Sequence, residues 1–138
     1  MRKLTDCDVE GKCANLDVYV HDEPGQGGAC HLYSIGGYDT STNPSSDAVE
    51  FRSPPIDRTG TSILFQNGPI DEDGNGANGI QIENLLAIVQ DRLRGFQSGK
   101  YACDANQIAL DHTTAALEAL KARTRERLGR GVEGTHTV

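Results

Sequence analysis

The sequence predicts an α+β protein, with an N-terminal antiparallel β-sheet followed by two long C-terminal antiparallel helices. Three observations carry the fold class. Apolar residues alternate in short runs before residue 80, they recur at three- and four-residue steps after it, and Gly, Pro, Asn and Ser clusters separate the early runs. Leu16, Val18 and Val20 interleave with Asp17, Tyr19 and His21, the period of a strand with one covered face. Leu32-Tyr33-Ser34-Ile35, Val49-Glu50-Phe51 and Ile63-Leu64-Phe65 are the further strand candidates. Pro24-Gly25 through Gly27-Gly28, Thr40 to Ser46 around Pro44, and Pro54-Pro55 supply the connections.

Beyond residue 80, Ile82, Leu85, Leu86, Val89, Leu93 and Phe96 fall on one face of a helix that ends near Ser98-Gly99. A second helix starts with Asp104 as its N-cap, carries Ile108, Ala115, Leu117 and Leu120, and is stopped by Gly129 and Gly131. Arginines in its last turns suit the negative end of the helix dipole. The helix pair is expected to pack against the sheet. The chain therefore reads as a single domain, residues 1–138, divided into a β-sheet part at 1–70, a helical hairpin at 80–130 and a tail at 131–138.

The 138 residues, with 36% hydrophobic content, no Trp and 16 Gly, support one thin core with many turns. No stretch approaches the roughly 20 apolar residues of a membrane span, and the start lacks an apolar segment of signal-peptide length, so a soluble, cytosolic protein is expected. In a reducing compartment Cys7, Cys13, Cys30 and Cys103 are expected as partly buried thiols. His21, His31, His112 and His136 lack metal-pair spacing, and no metal or cofactor is expected. The net charge is −7, unevenly spread: residues 1–91 hold 5 basic and 15 acidic side chains (−10), and residues 92–138 hold 8 basic and 5 acidic (+3). That balance argues against a partner such as long nucleic acid while leaving an anion-attracting region in the last third.

Two motifs fail on context. Gly74-Asn75-Gly76-Ala77-Asn78-Gly79 matches G-x-G-x-x-G, but no strand runs directly into the glycines and a second helix follows the first, so a mobile turn is expected there rather than a dinucleotide site. Asp71, Asp73, Asn75 and Gly76 fill positions 1, 3, 5 and 6 of a calcium loop, but position 12 is Ile82, with Glu83 one residue late; an acidic, solvated loop is expected.

Arg123, Arg127 and Arg130 stack on one helical face at i, i+4 and i+7, where like charges cost about 0.2–0.5 kcal/mol per pair. A solvated helix end, with Glu126 and Glu133 near, is one reading of them; an anionic ligand is the other. Phe96 ends the first helix and Asn106 begins the second, so the turn places an aromatic face and an amide at one end of the pair. Stacking, edge recognition and guanidinium forks together suit a nucleotide. Arg123, however, lies 17 residues beyond Asn106, about 25 Å along a helix. A second, antiparallel chain can bring its arginine end to the first chain's Phe96 and Asn106.

The runs Phe65-Gln66-Asn67-Gly68-Pro69-Ile70, Asp91 to Gly99, Tyr101-Ala102-Cys103, Arg123 to Arg127 and Arg130 to His136 resemble a family of phage and prophage proteins, the first described Thoeris anti-defence sponges. The resemblance covers about the last half of the chain. It implies a sheet followed by two helices, a homodimer formed through the helices, and in some members a hexamer, a trimer of dimers. It also implies binding without catalysis: members sequester glycocyclic ADP-ribose, a cyclic ADP-ribose isomer made by the TIR enzymes of Thoeris, in the host cytoplasm. The family's pocket residues correspond to Phe96 and Arg123 around the adenine, Asn106 on its edge and Arg127 at the phosphates. Asp104-Ala105 replaces a more charged pair expected before Asn106. Gly79 to Leu85 lacks the arginine with which some members hold cyclic trinucleotides, so that activity is not carried over. Arg92 and Arg94 are left as cations beside the site or at another one. An enzyme that opens a cyclic nucleotide, for which only Asp111 and His112 offer an acid–base pair, and a small nucleic-acid-binding or structural phage protein are the competing readings.

Overall fold

The computed structural model describes residues 1–10, 16–48, 59–70 and 74–138. The strand candidate at 49–51, Pro54-Pro55, Cys13, Asp71 and Asp73 lie outside the described residues. The chain forms two compact units, Met1–Leu64 and Phe65–Val138.

The first unit is a four-stranded antiparallel meander, β1 (Arg2–Leu4), β2 (Asp17–Val20), β3 (Leu32–Gly36) and β4 (Gly60–Leu64), with each strand beside its sequence neighbour. β1 is not among the strands read from the sequence, because Arg-Lys-Leu has one apolar residue and no visible alternation; it forms as an edge strand by pairing Lys3 with Tyr19. Register sorts the two faces. Val20, Tyr33 and Ile63 align on one, and Val20, 1% exposed, anchors it. Lys3, Tyr19, Ser34 and Ser62 align on the other. There Lys3 pairs with Asp17 at 2.8 Å and His21 Nε2 lies 2.6 Å from Ser34 Oγ. A one-residue slip would expose Val20, so the pattern itself fixes the pairing.

The β2–β3 connection is closed by Asp22, whose carboxylate accepts from the backbone N–H of Leu32 at 2.9 Å and of His31 at 2.9 and 3.1 Å. These donors hold its carboxyl below the ordinary aspartate range, the Leu32 bond first. At the loop tip Gly28 takes φ 84°, in the left-handed region, and its N–H donates to Gly25 O. Thr40–Thr42 and Pro44–Ala48 are short 3-10 turns after β3.

The second unit is a helical hairpin, α1 (Ile82–Gln97) and α2 (Asp104–Arg130), entered through a braced loop. Gly74 to Gly79, expected as a mobile turn, is tied to Gln66 and Asn67. Asn67 N–H donates to Asn78 Oδ1 and Asn78 Nδ2 donates back to Asn67 O, both at 2.8 Å. Gln66 Nε2 donates to Gly76 O at 2.9 Å and its Oε1 accepts from Asn78 N–H at 2.9 Å. Phe65 bridges to Ile80, and a Cβ on Gly79 would lie 2.6 Å from the Gln66 nitrogen.

Both helix boundaries of α2 shift from expectation. Cys103, in extended conformation, is the N-cap, and Asp104 occupies the first turn, where a negative charge still complements the dipole. At the other end α2 runs through Gly129, and only Gly131, at φ 72°, stops it. Gln97 clamps the turn: its Oε1 accepts from Cys103 N–H at 3.0 Å and its Nε2 donates to Gln107 Oε1 at 3.2 Å. Gln90 reaches Thr114 across the pair at 3.0 Å. The apolar face of α1 divides: Leu85, Leu86 and Leu93 are half-buried, whereas Ile82, Val89 and Phe96 are exposed at seven-residue steps. Among the described residues neither helix buries a hydrophobic side chain fully. No helix is long and apolar enough to cross a membrane among the described residues.

Candidate functional site

Phe96 lies in the last turn of α1 and Asn106 in the first turn of α2, so both stand at the hairpin turn, on either side of the Gln97 clamp. Phe96 is 40% exposed, and the Arg92 guanidinium lies 5.6 Å from its ring centroid. That cation, one helical turn earlier, is already a stacking partner for the ring. Asn106 is half-buried and makes a long 3.4 Å bond from Nδ2 to Tyr101 O. Its carbonyl oxygen accepts no hydrogen bond among the described residues, which leaves an acceptor and a donor for a base edge. Lys100 sits 5.2 Å from the Tyr101 ring, a second cation–aromatic contact at this end.

The arginines occupy the other end of α2 and differ sharply from one another. Arg123 is exposed and makes no ion pair or hydrogen bond among the described residues. Arg125 reaches Glu118 at 3.7 Å, Glu118 also holds Lys121 at 3.1 Å, and the Lys121 bond is the main reason the Glu118 carboxyl titrates low. Arg130 pairs with Glu126 and donates to Val138 O at 3.1 Å.

Arg127 is buried, with a side chain 7% exposed. Gly131 reverses the chain, so the tail returns over the last turn of α2 and wraps this guanidinium. Nε donates to Glu133 Oε2 at 2.9 Å, Nη1 to Thr137 O at 2.5 Å, and Nη2 to Val132 O at 2.8 Å and Thr135 O at 3.1 Å. Hydrogen bonds to a charged group contribute about 1.5–3 kcal/mol each, so the tail is held firmly. Four of the five guanidinium N–H groups are engaged.

One chain thus places Phe96 and Asn106 together and Arg123 and Arg127 together, about 25 Å apart along α2. The Arg92–Phe96 and Arg127–Glu133 pairs and the Gln97 clamp were missed in the sequence. The first had a visible signal in its i, i+4 spacing; the second spans a chain reversal and the third a turn, where spacing carries no such signal. Of the acid–base pair considered for catalysis, Asp111 accepts from Gln107 Nε2 at 2.9 Å and His112 is exposed. Among the described residues no group of three or more His, Cys, Asp or Glu could hold a metal ion.

Residues 60–125 match the family model described as "Acb2/Tad1, hairpin domain". The chain is also similar to "Thoeris anti-defense 1" of Bacillus phage SBSphiJ7, with 45% identity over 75 residues, 54% of this chain and 51% of that protein. The chain spans about half the length of this relative. Phe96, Asn106 and Arg123 fall inside the matched hairpin; Arg127 and its tail lie just beyond it.

Proposed function

We propose, on the premise that residues 60–125 are an Acb2/Tad1 hairpin domain, that this chain is a phage sponge for a cyclic ADP-ribose isomer, glycocyclic ADP-ribose foremost. It sequesters the signal in the host cytoplasm without cleaving it, which blocks Thoeris without catalysis. The observation that carries this reading is that the matched hairpin holds an exposed Phe96 ring, an Asn106 amide whose carbonyl oxygen accepts no hydrogen bond among the described residues, and an exposed Arg123 with no ion pair or hydrogen bond among them. A purine stacks between Phe96 of one protomer and Arg123 of another, Asn106 reads its edge, and Arg127 supplies positive charge to the diphosphate.

The ~25 Å between the two sets makes the site a property of two chains, and the exposed Ile82, Val89 and Phe96 edge of α1 supports a second copy as the partner. Two-fold symmetry then gives two sites per homodimer, with a trimer of dimers as the larger assembly.

Titration calorimetry with glycocyclic ADP-ribose, followed by heat release and chromatography of the ligand, tests the reading. Nanomolar binding and intact recovery are expected, with Asn106→Ala and Arg123→Ala folded but at least tenfold weaker. Wild-type-like titration of both variants would remove the site assignment, and recovery of opened or hydrolysed ligand would make the protein an enzyme.

A further inference from the structure

We infer that Glu133 is a positioning residue for the proposed ligand site: with three tail carbonyls it fixes the Arg127 guanidinium so that one Nη1 N–H is left for the ligand's diphosphate. The inference rests on the sponge reading above. Arg127 is the most enclosed charged side chain among the described residues, and it lies in the arginine set that the site requires. An arginine free to meet a phosphate would resemble Arg123, exposed and without partners; Arg127 has its acceptors already in place.

Glu133 takes Nε, the one donor that cannot rotate away from the stem, while Thr137 O, Val132 O and Thr135 O take three of the four terminal N–H groups. The fork is thereby locked in plane, and its remaining donor has a fixed direction. Glu133 is about one-third exposed while the Arg127 side chain is 7% exposed, so the carboxylate is the solvent-facing member of the pair. A pre-set donor loses less freedom on binding than a mobile one, which is the advantage a tight binder draws from the tail.

Competition is the alternative. If Glu133 occupied the place the phosphate needs, its removal would free Arg127 and tighten binding. The two cases give opposite signs in the full-length chain. Glu133→Gln is expected to weaken binding of glycocyclic ADP-ribose about tenfold and to speed hydrogen exchange at the amides of residues 132–138. In an Arg127→Ala background the same substitution is expected to change the affinity less than twofold, since Glu133 acts only through that guanidinium. A general loss of structure would instead weaken binding in both backgrounds. Unchanged or tighter binding by Glu133→Gln overturns the inference, and so does an additive loss in the Arg127→Ala background. A wild-type chain that binds no cyclic ADP-ribose isomer overturns the parent reading, and it is recognised before any variant is made.

Discussion

Asp22 shows how one side chain fixes a connection. Its carboxylate closes the β2–β3 loop by accepting two backbone N–H groups, and this holds its folded-state pKa below the value of about 3.9 expected in the unfolded chain. A depressed folded value means that the stabilisation is complete above the unfolded pKa and is lost as pH falls through the folded one. Asp22→Asn should therefore lower stability at pH 7 in urea unfolding, and the gap from wild type should narrow below about pH 4; a gap of constant size would contradict it. At this scale, legibility depended on distance in sequence. Phe96, Asn106 and Arg123 stood out because their types and helical placement could be read locally. Glu133 did not, because its bond to Arg127 requires the φ 72° reversal at Gly131, and a glycine signals a stop without saying where the chain goes next.

Elements with a strong period were legible, and those made by pairing were not. α1 ends where its apolar repeat ends, and β2 and β3 fall where alternation places them. β1 has too few residues to show a period, and the amide-braced loop from Gln66 to Gly79 reads as flexible because its order comes from side-chain reciprocity. That loop is testable at Gly79, where a methyl group meets backbone that cannot yield. Gly79→Ala is expected to cost about 1–3 kcal/mol in urea unfolding. Gln97→Ala removes both clamp bonds of the hairpin turn and is expected to cost about 1 kcal/mol, with faster amide exchange at Cys103. A neutral result at either position would show that the loop or the turn is held by other contacts.

For the whole molecule, the helix pair is short of buried apolar surface on its own: Arg127 is its one fully buried side chain among the described residues. Two chains sharing the exposed α1 edge would remedy this and complete the site at once. Native mass spectrometry is accordingly expected to give even multiples of the 14.8 kDa chain mass, and a dominant single-chain mass would separate Phe96 and Asn106 from any Arg123. The two-ended arrangement was legible from helical rise alone, whereas the tail's part in it needed three-dimensional structure. The meander order β1-β2-β3-β4 has a different consequence, a kinetic one. Every strand pairs with its neighbour in sequence, and the helices are joined by a turn of a few residues, so most loop closures are short; the closure that pairs Gly36 with Gly60 is the longest. Refolding followed by stopped-flow circular dichroism is accordingly expected on the order of milliseconds, with the closure between Gly36 and Gly60 as its slowest step.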